Sequence, residues 1–111
     1  MATAVREISH FIGSSATAGT GTRRSDVFDP NTGRVQAQVT LGAQADLDAA
    51  MALAVKAQLG WAATNPQRRA RVMFRFKELI EANMDSLARL LSSEHGKVIA
   101  DSKGDIQRGL E

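Results

Sequence analysis

The strongest constraint on this sequence is a change of hydrophobic period at Gly42. Before it, polar and apolar residues alternate from Arg34 to Leu41, the period of two that is typical of a β-strand with one face in water. After it, apolar residues recur at spacings of three and four, as on one face of an α-helix. These residues are Leu47, Ala50, Met51, Ala54 and Val55. The sequence therefore predicts an α/β chain, with strands over residues 1–42 and helices over residues 43–111.

The strand part is predicted to hold one short strand and one hairpin. The apolar run from Ile8 to Ile12 predicts the strand, and the small, glycine-rich segment from Ala16 to Thr22 predicts a loop. The segment Asp29–Gly33 reads Asp-Pro-Asn-Thr-Gly, in which Pro presets φ while Asn and Gly tolerate positive φ. We expect a hairpin over residues 26–41 with its turn there.

The helical part is predicted to hold about four helices. The first runs from Gln44 to about Leu59 and is weakly capped, because Ala43 stands where Ser or Thr would accept from first-turn amides. Gly60 and Trp61 then interrupt the pattern. The other predicted boundaries are Thr64 or Asn65 with Pro66 to Ala82, Asn83 to Gly96, and Val98 onward. The apolar stripes of these helices would pack on a parallel sheet whose strands are absent from these residues.

Composition excludes several classes of function. The chain has 111 residues, the size of one small domain, and no cysteine, so it offers no disulfide, thiolate ligand or thiol nucleophile. No run approaches the roughly 18 apolar residues of a membrane span, and the first residues lack the pattern of a signal peptide. We therefore expect a cytoplasmic protein without a membrane partner.

The remaining charged motifs favour ordinary surface roles. The formal net charge is only +2, and the basic run Arg68–Lys77 is typical of a solvated helix face rather than a nucleic-acid site. Within this run, Arg69 falls in the apolar stripe, which favours a structural role. His10 and His95 have no ligand at metal spacing, and no glycine-rich phosphate motif occurs.

Arg108 is the candidate site residue. On the fourth helix it lies opposite the stripe of Ile99, Ile106 and Leu110, on a face shared with Asp101 and Gly104. The planar guanidinium suits bidentate pairing with a substrate carboxylate. The alternative is an exposed arginine that pairs with an acid three residues away, either Asp105 or Glu111.

The last residues bear on how much of the protein this chain represents. Residues 98–111 form an amphipathic pattern that stops on Leu110 and Glu111 without a capping residue or polar tail. We expect a fragment of a longer protein. The alternative is a small basic helical binding module that is complete at this length.

Several motifs, taken in order, resemble the start of an aldehyde dehydrogenase. A short strand at His10–Gly13 precedes Val27–Gly33, which is similar to the N-P-x-T-G turn of the family. An alanine-rich helix, Trp61 and a basic helix follow. Glu94–Lys97 then resembles the E-x-G-K motif, with Asp105 as the following acid. The resemblance covers essentially the whole chain.

Three segments narrow the resemblance to one branch of that superfamily. Asn65–Arg71, Ser92–Lys97 and Gly104–Glu111 look like the CoA-acylating methylmalonate-semialdehyde dehydrogenases. Ala43 departs from relatives that often carry a capping Ser there, which touches helix stability rather than the assignment.

The resemblance implies a fold, a reaction, and which functional residues lie inside and outside this chain. Residues 1–42 would be the strands and hairpin, and 43–111 the helical part, of one incomplete Rossmann-type NAD-binding domain. The parent enzyme would use NAD, with CoA as co-substrate, to oxidise methylmalonate or malonate semialdehyde to propionyl-CoA or acetyl-CoA with loss of carbon dioxide; another NAD(P)-dependent aldehyde dehydrogenase is the alternative. It would be a homo-oligomer without a nucleic-acid partner. Its catalytic and cofactor-binding residues would lie outside this chain, leaving Arg108 as a substrate-binding residue and the fragment alone inactive.

Overall fold

The computed structural model describes residues 5–111 and confirms the mixed α/β composition. Short strands come first and helices follow. The strands of the described part are β1 (Arg6–Ile8), β2 (His10–Ile12), β3 (Ser15–Thr17), β4 (Arg24–Asp29) and β5 (Arg34–Thr40). The helices are α1 (Gln44–Ala63), α2 (Pro66–Ala82), α3 (Met84–His95) and α4 (Ile99–Leu110). The change from strand to helix at residues 41–43 matches the change of hydrophobic period.

The predicted hairpin is confirmed. β4 and β5 are neighbours in a three-stranded sheet of order β1-β5-β4, and β1 pairs with β5 in parallel, with Ile8 opposite Val39. The intervening turn closes because the Asp29 carbonyl accepts from the amide of Gly33 at 2.8 Å, with Gly33 at a φ of 72°. Ala37, on the central strand β5, is fully buried.

A second hairpin lies where the sequence predicted one strand and a loop. β2 pairs antiparallel with β3 (Ser15–Thr17), so the loop prediction is wrong at Ala16 and Thr17. Gly13 and Ser14 both have positive φ, 63° and 64°, the pattern of a two-residue type I′ turn. Small and polar residues at this turn resemble a loop in sequence, because cross-strand pairing rather than propensity makes β3 a strand.

Helix α1 extends further than predicted. It continues through Gly60 and Trp61 to Ala63, so the predicted break is wrong. One glycine in a helix interior costs only about 1 kcal/mol, which the flanking alanine-rich turns can offset. The predicted apolar face is more than half exposed at Leu47, Met51 and Val55.

The boundaries of α2, α3 and α4 agree with the sequence prediction. The Asn65 side chain caps α2 by accepting from the amide of Gln67 at 2.8 Å. Asn83 stands at the start of α3 but does not cap it, because its side-chain amide donates to the Leu79 carbonyl at the end of α2. α3 ends at Gly96, as predicted.

The described chain divides into two compact units. Residues 5–28 and Arg34–Ala63 form one, and the turn Asp29–Gly33 groups with Thr64–Glu111 in the other. Within residues 5–111, no helix combines the length and apolarity needed to cross a membrane.

Candidate functional site

Two motifs that are far apart in sequence meet at the end of α3. Gly96 ends the helix in the left-handed conformation, with φ at 90°, and its amide donates to the Ser92 carbonyl at 2.8 Å. A Cβ at this position would lie 3.0 Å from Cγ of Pro30. The turn Asp29–Gly33 therefore packs against the glycine that precedes Lys97.

A buried polar contact fixes α3 against α4. The hydroxyls of Ser92 and Ser102 are 2.7 Å apart, and Ser102 is fully buried. Ala88 on α3 is also fully buried. Small side chains allow two helices to approach closely, and the hydroxyl pair satisfies its own hydrogen bonds there. α4 thus has a defined position relative to the residues that follow α3.

The carboxylate of Asp105 lies between two cations. Lys97 Nζ, from the segment between the helices, donates to Oδ2, and Arg108 Nη2, one turn further along α4, donates to Oδ1. These hydrogen bonds, the Lys97 bond first, hold the pKa of the Asp105 carboxyl below its usual value. The cluster of Lys97, Asp105 and Arg108 therefore carries one net positive charge.

Arg108 is the most exposed member of this cluster. Its side chain is 74% exposed, against 32% for Asp105 and 22% for Lys97. A Cβ added at Gly104, one turn earlier, would meet no atom within 4 Å in the described part of the chain. The sequence offers two interpretations of Arg108, and its ion pair with Asp105 is the contact that the second of them, an exposed arginine paired with a nearby acid, predicts. This ion pair engages Nη2 of the guanidinium, and the side chain has no other hydrogen bond or ion pair among residues 5–111.

The other charged residues single out no second site. In the basic run, Arg75 pairs with Glu78 at 3.0 Å and Lys77 with Glu81 at 2.8 Å, as expected of a solvated helix face. Arg69 is half-buried. No group of three or more potential metal ligands occurs among residues 5–111.

His10 belongs to a cluster at the start of α1 that the sequence did not reveal. Its Nε2 is 4.0 Å from Oδ2 of Asp46, a carboxylate that is almost fully buried. Asp46 accepts from the amides of Ala43 and Thr20, both at 2.8 Å, and from the Thr20 hydroxyl at 3.1 Å. These contacts join a loop to the first turn of the helix, so the cluster is structural.

The sequence missed the joint role of Lys97 and Asp105. Lys97 was recognised as part of the E-x-G-K motif, and Asp105 as an acid near Arg108. Lys97 lies in the short segment between α3 and α4, so helical spacing cannot relate its position to that of Asp105 on α4. The one available signal was that Gly96 ends a helix just before a lysine.

Comparison with known proteins places this chain in a family. The model of the aldehyde dehydrogenase family matches residues 16–111. Malonate-semialdehyde dehydrogenase 3 of Geobacillus kaustophilus is 40% identical over 109 residues, which are 98% of this chain and 22% of that protein.

Two solved structures resemble the chain closely. One is a protein from Sinorhizobium meliloti 1021, assigned as a methylmalonate-semialdehyde dehydrogenase and complexed with NAD. It is 54% identical with a TM-score of 0.94, and the match covers 96% of this chain and 22% of that chain. The methylmalonate-semialdehyde dehydrogenase of Oceanimonas doudoroffii is 40% identical, with a TM-score of 0.91 and the same coverage. The chain spans about a fifth of the length of these relatives. From the family match over residues 16–111 and these similarities, we conclude that the chain belongs to the aldehyde dehydrogenase family.

Proposed function

We propose that this chain is the N-terminal portion of an NAD-dependent, CoA-acylating semialdehyde dehydrogenase. The substrate would be methylmalonate or malonate semialdehyde, and the products propionyl-CoA or acetyl-CoA, carbon dioxide and NADH. The observation that carries the proposal is that semialdehyde dehydrogenases of this branch match nearly the whole chain. Family membership favours this enzyme over the alternative of a small basic binding module.

Residues 5–111 do not themselves fit a nucleotide cofactor. The glycines with positive φ lie in turns, in a loop and at the end of a helix, and none forms a glycine-rich turn that opens a helix toward a pyrophosphate. We therefore assign NAD and the catalytic residues to the parts of the protein outside this chain. NAD would accept the aldehyde hydrogen as hydride. Residues 1–42 and 43–111 would be the strand part and the helical part of the same incomplete NAD-binding domain.

We assign to Arg108 the binding of the substrate carboxylate. Semialdehyde substrates carry this group and ordinary aldehydes lack it, so a fixed cation at the site distinguishes the two. The guanidinium is exposed, belongs to a cluster with net positive charge and is held on one side only. A planar fork pairs with a carboxylate through two parallel hydrogen bonds, which an ammonium cannot reproduce.

Substitution of Arg108 in the full-length enzyme tests this role. We expect Arg108→Leu to lower kcat/KM for methylmalonate semialdehyde by about ten- to a hundredfold, the worth of a charged, bidentate hydrogen bond, and to spare uncharged propanal. Arg108→Lys should recover little. Arg68→Leu, which removes another exposed arginine, is the matched control and should leave kcat/KM unchanged for both substrates. Equal losses on both substrates after Arg108→Leu would exclude the carboxylate role.

Dependence on CoA tests the reaction itself. Full-length enzyme supplied with NAD and methylmalonate semialdehyde should form NADH only when CoA is present, with propionyl-CoA and carbon dioxide as products. NADH formation that is independent of CoA would indicate a different NAD(P)-dependent aldehyde dehydrogenase. The proposal also includes a homo-oligomeric parent, as the family resemblance implies, and a cytoplasmic location, as expected from the sequence.

A further inference from the structure

The carboxylate of Asp105 connects a half-buried lysine to an exposed arginine. Each oxygen has its own cation, with Lys97 on Oδ2 and Arg108 on Oδ1. Exposure increases along this series, from Lys97 through Asp105 to Arg108. Lys97 is thus the most buried of the three residues, and the guanidinium of Arg108 is the group that water reaches most easily.

Lys97 is well placed to anchor the carboxylate. It follows Gly96, whose conformation is set by the end of α3 and by the nearby Pro30. α4, which carries Asp105, is held against α3 by the hydroxyl pair of Ser92 and Ser102. The lysine and the carboxylate therefore approach each other from two segments whose backbones are already fixed.

Arg108 needs such an anchor if it is to bind a ligand in one orientation. A free arginine side chain samples many rotamers, and fixing it on binding has an entropic cost. A carboxylate that already holds one Nη restricts this freedom before the ligand arrives, while the other N–H groups remain available.

We propose that Asp105 is a positioning residue for Arg108, and that Lys97 is the anchor of Asp105. This inference rests on the proposed substrate role of Arg108. Lys97 fixes the carboxylate, and the carboxylate turns the guanidinium so that its free edge meets the carboxylate of the semialdehyde. Neither Lys97 nor Asp105 touches the substrate.

Positioning and simple charge attraction predict opposite effects for one substitution. Asp105→Asn raises the net charge of the cluster from +1 to +2, because it removes the only negative group among the three residues. If charge alone attracted the substrate, the semialdehyde would bind more tightly. If Asp105 positions Arg108, the semialdehyde binds less tightly despite the added charge.

The experiment measures KM and kcat of the full-length enzyme on methylmalonate semialdehyde and on propanal. We expect Asp105→Asn to raise KM for the semialdehyde by about three- to tenfold, the worth of one hydrogen bond, with kcat and the propanal values unchanged. Asp105→Glu should restore part of the loss, because it keeps the carboxylate. Lys97→Gln should raise the same KM by a smaller factor.

Asp85→Asn is the matched control. Asp85 on α3 forms an ion pair of 2.7 Å with Lys103 on α4, so its substitution makes the same change of charge in a second lysine–aspartate pair. Asp85→Asn should leave KM and kcat unchanged for both substrates. In the Arg108→Leu background, Asp105→Asn should have no further effect, because the residue on which it acts is gone.

Three results would overturn the inference. They are a lower semialdehyde KM in Asp105→Asn, equal losses on both substrates, or the same Asp105→Asn effect in the absence of Arg108. If Arg108→Leu does not separate the two substrates, the substrate role of Arg108 fails and positioning fails with it. If Arg108→Leu separates them but Asp105→Asn does not, positioning alone fails.

Discussion

Gly96 meets two requirements that a residue with a side chain cannot meet together. Its φ of 90° lies in the left-handed region, and a Cβ there would approach Pro30 Cγ to 3.0 Å. Gly33 meets only the first requirement, since its φ is 72° but a Cβ would meet no described atom within 4 Å. The two glycines therefore separate the effect of backbone conformation from that of close approach.

We predict that Gly96→Ala destabilises the full-length protein more than Gly33→Ala does. The left-handed conformation alone costs a residue with a Cβ about 1–2 kcal/mol, and Gly96→Ala adds the displacement of the Pro30 ring. Thermal unfolding of the two variants measures the difference in Tm. An equal loss of Tm in the two variants would contradict the prediction, because it would show that the turn can move away from position 96 without a loss of stability.

Residue chemistry could be predicted from the sequence better than residue contacts. The exposed position of Arg108 and its pairing with an acid three residues away follow from helical spacing, and both are present. The bond from Lys97 to Asp105 depends on how α4 turns back on α3, which no local pattern encodes. Whether Arg108 binds substrate stays a prediction.

At the scale of single elements, Asp46 compensates for the poor capping residue of α1. Ala43 offers no side-chain acceptor, but its own amide donates to the Asp46 carboxylate, as in the second half of a capping box. That bond is the main cause of the lowered pKa of Asp46; burial opposes it, and the bonds from Thr20 add to it. The sequence shows the poor cap at Ala43 but not the bond that compensates for it.

We predict that the Asp46 contribution to stability depends on pH. A depressed folded-state pKa means that the ionised carboxylate stabilises the fold above its unfolded pKa of about 3.9, and that this stabilisation is lost as pH falls through the folded-state pKa. Asp46→Asn should therefore lower Tm of the full-length protein at pH 6, and the difference from the parent should shrink below about pH 4. Asp48→Asn, on the same turn of α1, should change Tm little at either pH. A Tm difference independent of pH would contradict this explanation.

Elements with strong periodicity were predicted well, and those that depend on pairing were not. β5 and α2 follow from alternation and from the Asn-Pro start. β3 could not be predicted from a local pattern, because its three small residues form a strand only when β2 lies beside them. The end of α1 was missed because Gly60 lowers helix propensity without preventing a helix.

At the scale of the whole molecule, large apolar side chains remain exposed, and most of them lie on α1 and α2. On α1 they include Leu47, Met51, Val55 and Leu59, and on α2 Val72, Met73, Phe76 and Leu79. Patches of this kind are uncommon on soluble monomers. This exposure fits the expectation that the helical stripes pack on structure absent from these residues.

We predict that the isolated 111-residue chain self-associates or remains loosely packed. Sedimentation and binding of an apolar dye should report oligomers or accessible apolar surface, because water contacts the stripes of α1 and α2. Replacing both Met51 and Leu59 by Gln should reduce association, whereas Gln at the exposed Ala49 and Ala57 should not. A monodisperse monomer with a sharp, cooperative melt would refute the prediction.

The contact between Pro30 and Gly96 also affects the order in which the chain can fold. The two residues are more than sixty positions apart, so the contact closes a long loop. On a ribosome, the strands on either side of the turn can pair early, while the turn waits for Gly96 to leave the exit tunnel. The turn therefore gains its packing partner only after residue 96 has emerged, and a translational pause between residues 33 and 96 would leave it without that partner.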